Sequence, residues 1–386
     1  MAATISFFPV SNGDMTLICF ESGRTLLTDV MIRESADDPE DHDTPDVAQM
    51  LRERLKRDSG GRLYVDAFLL SHPDKDHCTG LSKHFHLGIP DDWSKEDDKI
   101  FIREIWSSPM VFRRASTQHV LCDEAKAFNS EVRRRIKQFR ESGGVLGDGD
   151  RVQILGEDED GKTDDLQAIL VKVDENFSKI AGVTDSTFTA NLLAPHPKSN
   201  EEGDEALRAK NHSSTVIRFS LTGGGVSDRA RFLSCGDAEV AIWERLWEKH
   251  KASPDRLSYD LLLSPHHCSW HSLSYDSWGD LREQAEVCEG ARKALGQARD
   301  AAEIVASSKA ISDDDDDPPC IRAKREYEAI LAEVKNGKFK CTTDDSPEVP
   351  LEFEVTSAGL RGKTRSMRAS SVYGGGAAGV QVLPHG

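Results

Sequence analysis

The run "YVDAFLL", residues 64–70, carries apolar side chains at both parities of a strand and a single acid, Asp66. A half-exposed strand alternates apolar and polar residues, so a continuous run of this kind belongs in a sheet covered on both faces. It ends in "SHPDKDHCTGL", where His72, Asp74, Asp76 and His77 fall within six positions. A strand that must be buried therefore delivers four metal-capable side chains to its end, and the rest of the chain has to supply the cover.

The flanking sequence has the material for that cover. "TISFFPV" and "MTLICFES" predict two strands joined by the turn signal "SNGD", and "RTLLTDV" a third strand ending in Asp29. "DVAQMLRERLKRD" has helical spacing. From "DRVQILG" onward short strands dominate, in "LQAILVKV", "FTANLLAP", "STVIRFSL", "ARFLSCGD" and "YDLLLSPHH", interrupted by a helix over "AEVAIWERLWEKHK". "LREQAEVCEGARKALGQARD" reads as a long helical stretch, followed by a strand "AAEIVASSK", a helix "IRAKREYEAILAEVK" and strands at "KFKCTT" and "LEFEVTS". Two sets of strands, each followed by helices, predict an α/β or α+β sandwich with sheets inside and helices outside. Residues 81–154 read as an insertion that caps a site and includes the charged helix "CDEAKAFNSEVRRRIKQFRES". "SDDDDDPP" reads as a solvated loop, and "SSVYGGGAAGVQVLPHG" as a glycine-rich tail.

Charge narrows the partners. Asp and Glu number 67 against 49 Lys and Arg, a formal charge of -18. Such a chain is soluble and is repelled by phosphate backbones and anionic lipid unless it carries a local basic patch. Arg113, Arg114, Arg133, Arg134 and Arg135 are the candidates for one, as a rim over a cleft. Nothing resembles a signal peptide, and no run approaches the roughly 18 apolar residues of a membrane span, which predicts a cytoplasmic protein with no membrane partner. The eight cysteines contain no C-x-x-C pair, so reduced thiols are expected. Cys78, Cys235 and Cys268 flank the polar motifs, and small buried packing residues describe them better than metal ligands.

Four polar motifs stand at the ends of predicted strands: Asp29, the group His72, Asp74, Asp76 and His77, then Asp237 in "LSCGDAE", and His266 with His267 in "LLLSPHHCSWHS". Side chains raised by strand ends into one cleft are a common placement for catalysis. Aspartate gives hard oxygen ligands and histidine borderline nitrogen, the mixture that two neighbouring divalent ions share. Alternate residues of an extended segment face one way, so His72 and Asp74 can meet one ion. Asp76 and His77 then fall in the first turn of a helix, where an aspartate also serves as an N-cap. Asp74 or Asp76 as a simple cap, and His72 as a loop histidine, are the structural alternatives.

In this order the motifs resemble the metallo-β-lactamase fold superfamily, whose central motif is best known as H-x-H-x-D-H. Here it reads H-P-D-K-D-H, with Asp74 in place of the second histidine, which is similar to the competence-protein ComEC branch. "FFPVSNGDMTLICFESGRTLLTDV", "KNHSSTVIRFSL", "RFLSCGDAE" and "LLLSPHHCSWHS" extend the resemblance over roughly residues 5–359. The resemblance implies a hydrolase domain, 1–359, built as a four-layer αββα sandwich, with 360–386 as its tail. It implies two zinc or manganese ions: one held by His72 and Asp74, a second by Asp76 and His77, with Asp237 bridging them. His266 or His267 would complete the ligand set of the second ion, Asp76 or the free histidine would protonate the leaving group, and Asp29 would support the motif loop. His212 is a further candidate ligand, His196 a loop residue, and Trp270 and His271 either shape substrate entry or pack. The implied reaction is hydrolysis of a phosphodiester in nucleic acid or a nucleotide. Acyl-bond hydrolysis, or a metal-stabilised scaffold acting with a protein partner through its acidic surface or tail, are the alternatives.

Overall fold

Strand Leu63–Leu70 lies between two parallel neighbours, Thr25–Thr28 and Ile100–Ser107. The computed structural model describes residues 1–37, 41, 43–109, 120–158, 161–197, 210–344 and 348–364. Among these, the strand belongs to a mixed sheet that runs in the order Gly359–Gly362, Leu351–Thr356, Ala3–Phe7, Thr16–Cys19, Thr25–Thr28, Leu63–Leu70, Ile100–Ser107, Arg151–Leu155, Leu170–Val171. The three N-terminal strands form the expected antiparallel meander. A second sheet runs Asn176–Phe177, Phe188–Ala194, Val216–Gly223, Val226–Ser234, Tyr259–Leu263, Ala298–Ala306, Lys338–Cys341, and its last four strands are parallel. The chain is thus a mixed α/β protein.

Burial on both faces is met as the apolar run demands. Ala67 and Leu69 join a cluster that takes residues from both sheets, including Phe7, Trp106, Phe219, Phe232 and Phe353. Phe7 meets Phe232 edge-on at 5.7 Å between ring centroids, and Phe20 stacks on Phe188 at 4.2 Å. Phe68 and Leu70 face the other way, into a cluster with Val47 and Leu51 of helix Val47–Arg52 and with Ala125, Phe128, Val132 and Ile136 of helix Asp123–Glu141. A third cluster gathers the outer face of the second sheet with Trp243 and Leu246 of helix Val240–His250 and Tyr327 and Ile330 of helix Ile321–Ala332.

Several expectations are corrected. Residues 81–154 are no insertion: Ile100–Ser107 is a buried strand of the first sheet, and the helix Asp123–Glu141 covers that sheet. Charge on this helix misleads because its arginines hold it in place. Arg135 is buried and donates to Glu131 and to the carbonyls of Ile102 and Arg151, while Arg134 donates to Glu131 and Asp150. The basic rim therefore loses Arg134 and Arg135, and Arg113 and Arg114 lie outside the described residues. Helix formation over 46–58 stops at Arg52, and the long helix expected over 281–300 contracts to Glu289–Leu295, because Ala298 already begins a strand. Of "LQAILVKV" only Leu170–Val171 is a strand. The acidic loop is not simply solvated, since Asp313 pairs with Arg325, Asp315 with Arg282 and Asp316 with Lys309. Strand Gly359–Gly362 crosses the expected boundary at 359, and the glycine-rich stretch beyond 364 lies outside the described residues. No helix among the described residues is long and apolar enough to cross a membrane.

The shared cluster carries the contact between the sheets, so truncating Phe232 leaves a cavity that neither sheet can close alone. Phe232→Ala is expected to lower unfolding free energy by about 3–5 kcal/mol. Val120→Ala, at an exposed position, is expected to change it by less than about 0.5 kcal/mol. Equilibrium denaturation of both variants checks this.

Candidate metal centre

Two parallel strand pairs, one in each sheet, end at this site. Thr25–Thr28 runs into Asp29 and Leu63–Leu70 into Ser71 and His72, while Val226–Ser234 runs into Gly236 and Asp237 and Tyr259–Leu263 into His266 and His267. Antiparallel pairing of Thr16 with Thr28 brings the start of the second strand, and Asp14 before it, to the same edge. The backbone then ties the loops together. Thr215 N–H donates to the Ser71 carbonyl, Asp14 N–H to the Asp76 carbonyl, and His266 N–H to the Gly236 carbonyl. Gly236 is needed at its φ of +50°, where a Cβ would stand 2.8 Å from Ser71 Oγ and 2.9 Å from Ser71 Cβ.

Asp237 is the centre of the cluster. Its Oδ1 lies 3.0 Å from His77 Nε2 and 3.6 Å from His267 Nε2, and its Oδ2 lies 3.3 Å from His72 Nε2 and 3.6 Å from His266 Nε2. Each carboxylate oxygen thus faces two imidazoles. Asp14 adds Oδ1 at 3.4 Å from His267 Nδ1, and Asp76 Oδ2 lies 3.3 Å from His267 Nε2. Ligand atoms of Asp14, His77, Asp237 and His267, all buried, fall within 4.8 Å of one another, which is a group able to hold a metal ion.

Asp29 plays the supporting part expected of it. Its carboxylate accepts from the Ser71 amide at 2.6 Å, the Ser71 hydroxyl at 2.6 Å and His77 Nδ1 at 2.9 Å. With Nδ1 engaged, His77 turns Nε2 toward Asp237, the arrangement that orients metal-binding histidines.

Many of these buried atoms lack an aligned partner. His72 Nε2, His77 Nε2, both ring nitrogens of His267, Asp14 Oδ1 and Asp237 Oδ1 make no hydrogen bond despite the short separations. An unpaired buried polar atom costs about 1–3 kcal/mol, so six at one point call for a ligand, and their mixed oxygen and nitrogen chemistry suits a divalent cation. Without one, protons supply the positive charge. Burial opposes the charged form of His267, yet the Asp237 and Asp14 carboxylates push its pKa up to about 10, and Asp237 and Asp29 likewise raise His77. Burial would raise Asp237, but the surrounding histidines, His77 first, hold it well below the usual carboxylate range. Asp76 behaves the same way: burial favours its neutral form and His267 and His77 overcome it, keeping it ionised.

The structure gathers His72, Asp76, His77, Asp237, His266 and His267 of the expected residues. Asp74 instead accepts the Lys75 amide at the N-cap of helix Lys75–Cys78, the capping alternative. Of the histidine pair, either of which was expected to bind metal, His267 enters the four-residue group, with left-handed φ values of 52°, 51° and 70° at His266, His267 and Cys268 turning it inward. His266 keeps partial exposure. Asp14 was missed; it stands in the turn "SNGD", and the turn signal masked a candidate ligand. His212 belongs to the turn Lys210–Ser213, and its side chain lies outside the described residues. His196 contacts Lys249, and Trp270 is buried in the outer cluster, so it packs. All eight cysteines are free; Cys78, Cys235 and Cys268 sit in hydrophobic clusters. Compared with known proteins, the chain matches no family model and no curated protein.

Two outcomes follow. Asp29→Asn is expected to weaken Zn²⁺ or Mn²⁺ binding by roughly 10–100-fold through loss of the His77 orientation, read by titration calorimetry. Because His267 is raised above its ordinary 6.5 to about 10, its ion pairing stabilises the metal-free fold fully below the lower value and is lost as pH rises through the upper one. Asp237, depressed below its ordinary 3.8, adds stability that is present above that value and lost in acid. Melting temperature in EDTA is therefore expected to fall between pH 7 and 10, and the metal-loaded protein to show a smaller fall.

Proposed function

We propose that this chain is a metal-dependent hydrolase of the metallo-β-lactamase fold superfamily, close to its ComEC-like branch, acting on a phosphodiester. The observation that carries the proposal is the set of unpartnered, buried donor atoms converging on Asp237. The three hydrophobic clusters, one shared by the sheets and one under each helical cover, support the reading as a four-layer αββα sandwich. With both oxygens of Asp237 flanked by histidines, Asp14, His77, Asp237 and His267 would hold a metal ion, and His72 and His266 on the other side of Asp237 would help to hold a second. Zinc or manganese fits this nitrogen and oxygen mixture.

Bound there, divalent ions would acidify water from a pKa of 15.7 towards neutrality and offset negative charge on the reacting group. The chain supplies the rest. Asp29 fixes the tautomer of His77, and burial of His72, His77, Asp237 and His267 keeps bulk water from competing. Asp76, ionised and with a side chain 34% exposed, would accept the proton of an entering water at a carboxylate oxygen. Its depressed pKa keeps it deprotonated, which argues against its protonating a leaving group. Substrate would approach past Asp76 and the partly exposed His266. Arg134 and Arg135 are committed to the fold, and the formal charge is -18. A nucleotide-sized phosphodiester therefore fits better than a long duplex held on a basic face.

The test is metal-loaded protein on bis-p-nitrophenyl phosphate, beside a lactone and a thioester. Phosphodiester turnover that falls at least about 100-fold in Asp237→Ala, with the circular dichroism spectrum unchanged, is expected. Equal turnover in Asp237→Ala, or fewer than one bound transition ion per wild-type chain, would overturn the proposal. Turnover of the lactone or thioester alone would replace the substrate class.

A further inference from the structure

We propose that Cys78 and Cys122 form a reversible disulfide, making this pair a thiol modification site beside the candidate metal centre. Cys78 ends the short helix Lys75–Cys78, directly after His77, and is fully buried. Cys122 is the N-cap of the nineteen-residue helix Asp123–Glu141 and is partly exposed. The two sulfurs, 44 residues apart in the chain, lie 3.5 Å from each other. A disulfide needs about 2.05 Å, so the atoms have only about 1.5 Å to close. Packing alone would be served by any two small apolar residues here.

The surroundings divide the two thiols into different roles. Cys122 Sγ accepts the Ala125 N–H at 3.5 Å and faces the N-terminal end of a long helix, which favours a thiolate. The Cys78 thiol is instead held by the Asp74 carbonyl, to which it donates at 3.0 Å. Cys122 is thus the accessible nucleophile and Cys78 the buried resolving thiol. With a small disulfide such as glutathione disulfide as oxidant, the Cys122 thiolate attacks one sulfur, forming a mixed disulfide and releasing one glutathione thiolate. Cys78 then gives up its proton and attacks Cys122 Sγ, releasing the second glutathione. Two protein thiols are oxidised and one small disulfide is reduced, so the exchange balances.

Full-length protein, reduced and then equilibrated with glutathione and glutathione disulfide in graded ratios, is trapped with N-ethylmaleimide and mapped by peptide mass spectrometry. Free thiols are expected to fall from eight to six, with a linked Cys78–Cys122 peptide in most chains and full recovery in dithiothreitol. Cys78→Ser is expected to accumulate glutathione on Cys122 several-fold above wild type, and Cys122→Ser to leave Cys78 unmodified. Eight thiols persisting at every ratio, loss without the linked peptide, or an unreactive Cys122 in folded Cys78→Ser would overturn the proposal. If either variant fails to fold, the wild-type thiol count and peptide map decide alone. None of these readouts depends on hydrolase activity or on bound metal.

Discussion

A carboxylate that is almost wholly buried, at Asp237, organises this molecule. An isolated charge in such a place is untenable, since burial penalises the ionised form by several kcal/mol. Four imidazoles surround it, and they come from strand ends in both sheets. The two sheets must therefore be held in one relative position for the charge to be compensated at all. The shared cluster of Phe7, Phe20, Phe188 and Phe232 does this from below, and hydrogen bonds between loops do it at the edge. Sheet packing and site chemistry are in this sense a single requirement.

Local backbone conformation is bent to the same end. Three successive residues, His266, His267 and Cys268, occupy the left-handed region, and Asp29 does as well. Each such non-glycine residue costs on the order of 1 kcal/mol or more, and such conformations persist where the surroundings over-determine them. Here the His266 amide is held by Gly236, and the Asp29 carboxylate by Ser71 and His77. Cys268 stands where a glycine would be unstrained, which sets it against the ease of the local turn but not against the turn itself.

Much of this was legible in the sequence because it rests on period and order. The apolar run at 64–70 predicted a doubly covered strand, and polar residues following apolar strands located His72, His77, Asp237 and both members of the histidine pair. What failed had a physical cause in each case. Asp14 sits in a turn signal, where an aspartate is expected for backbone reasons alone. Asp74 satisfies a helix terminus, a use that spacing cannot separate from metal ligation. Charged helix 123–141 looked like a surface element because its arginines were counted as free charges, whereas Arg135 is buried against Glu131 and two carbonyls. The strand Ile100–Ser107 was hidden inside a stretch of high charge and so passed as an insertion. Pair contact across the sheets, such as Phe7 with Phe232, has no signature in one sequence.

The central claim is that the buried donors around Asp237 converge on cations. Crystals grown with Zn²⁺ or Mn²⁺ and measured at the metal absorption edge test it most directly. The account predicts anomalous peaks within bonding distance, about 2.0–2.2 Å, of Asp237 and of His77 or His72. A fully occupied map with no peak at Asp237, or with metal bound only at surface carboxylates, would contradict it.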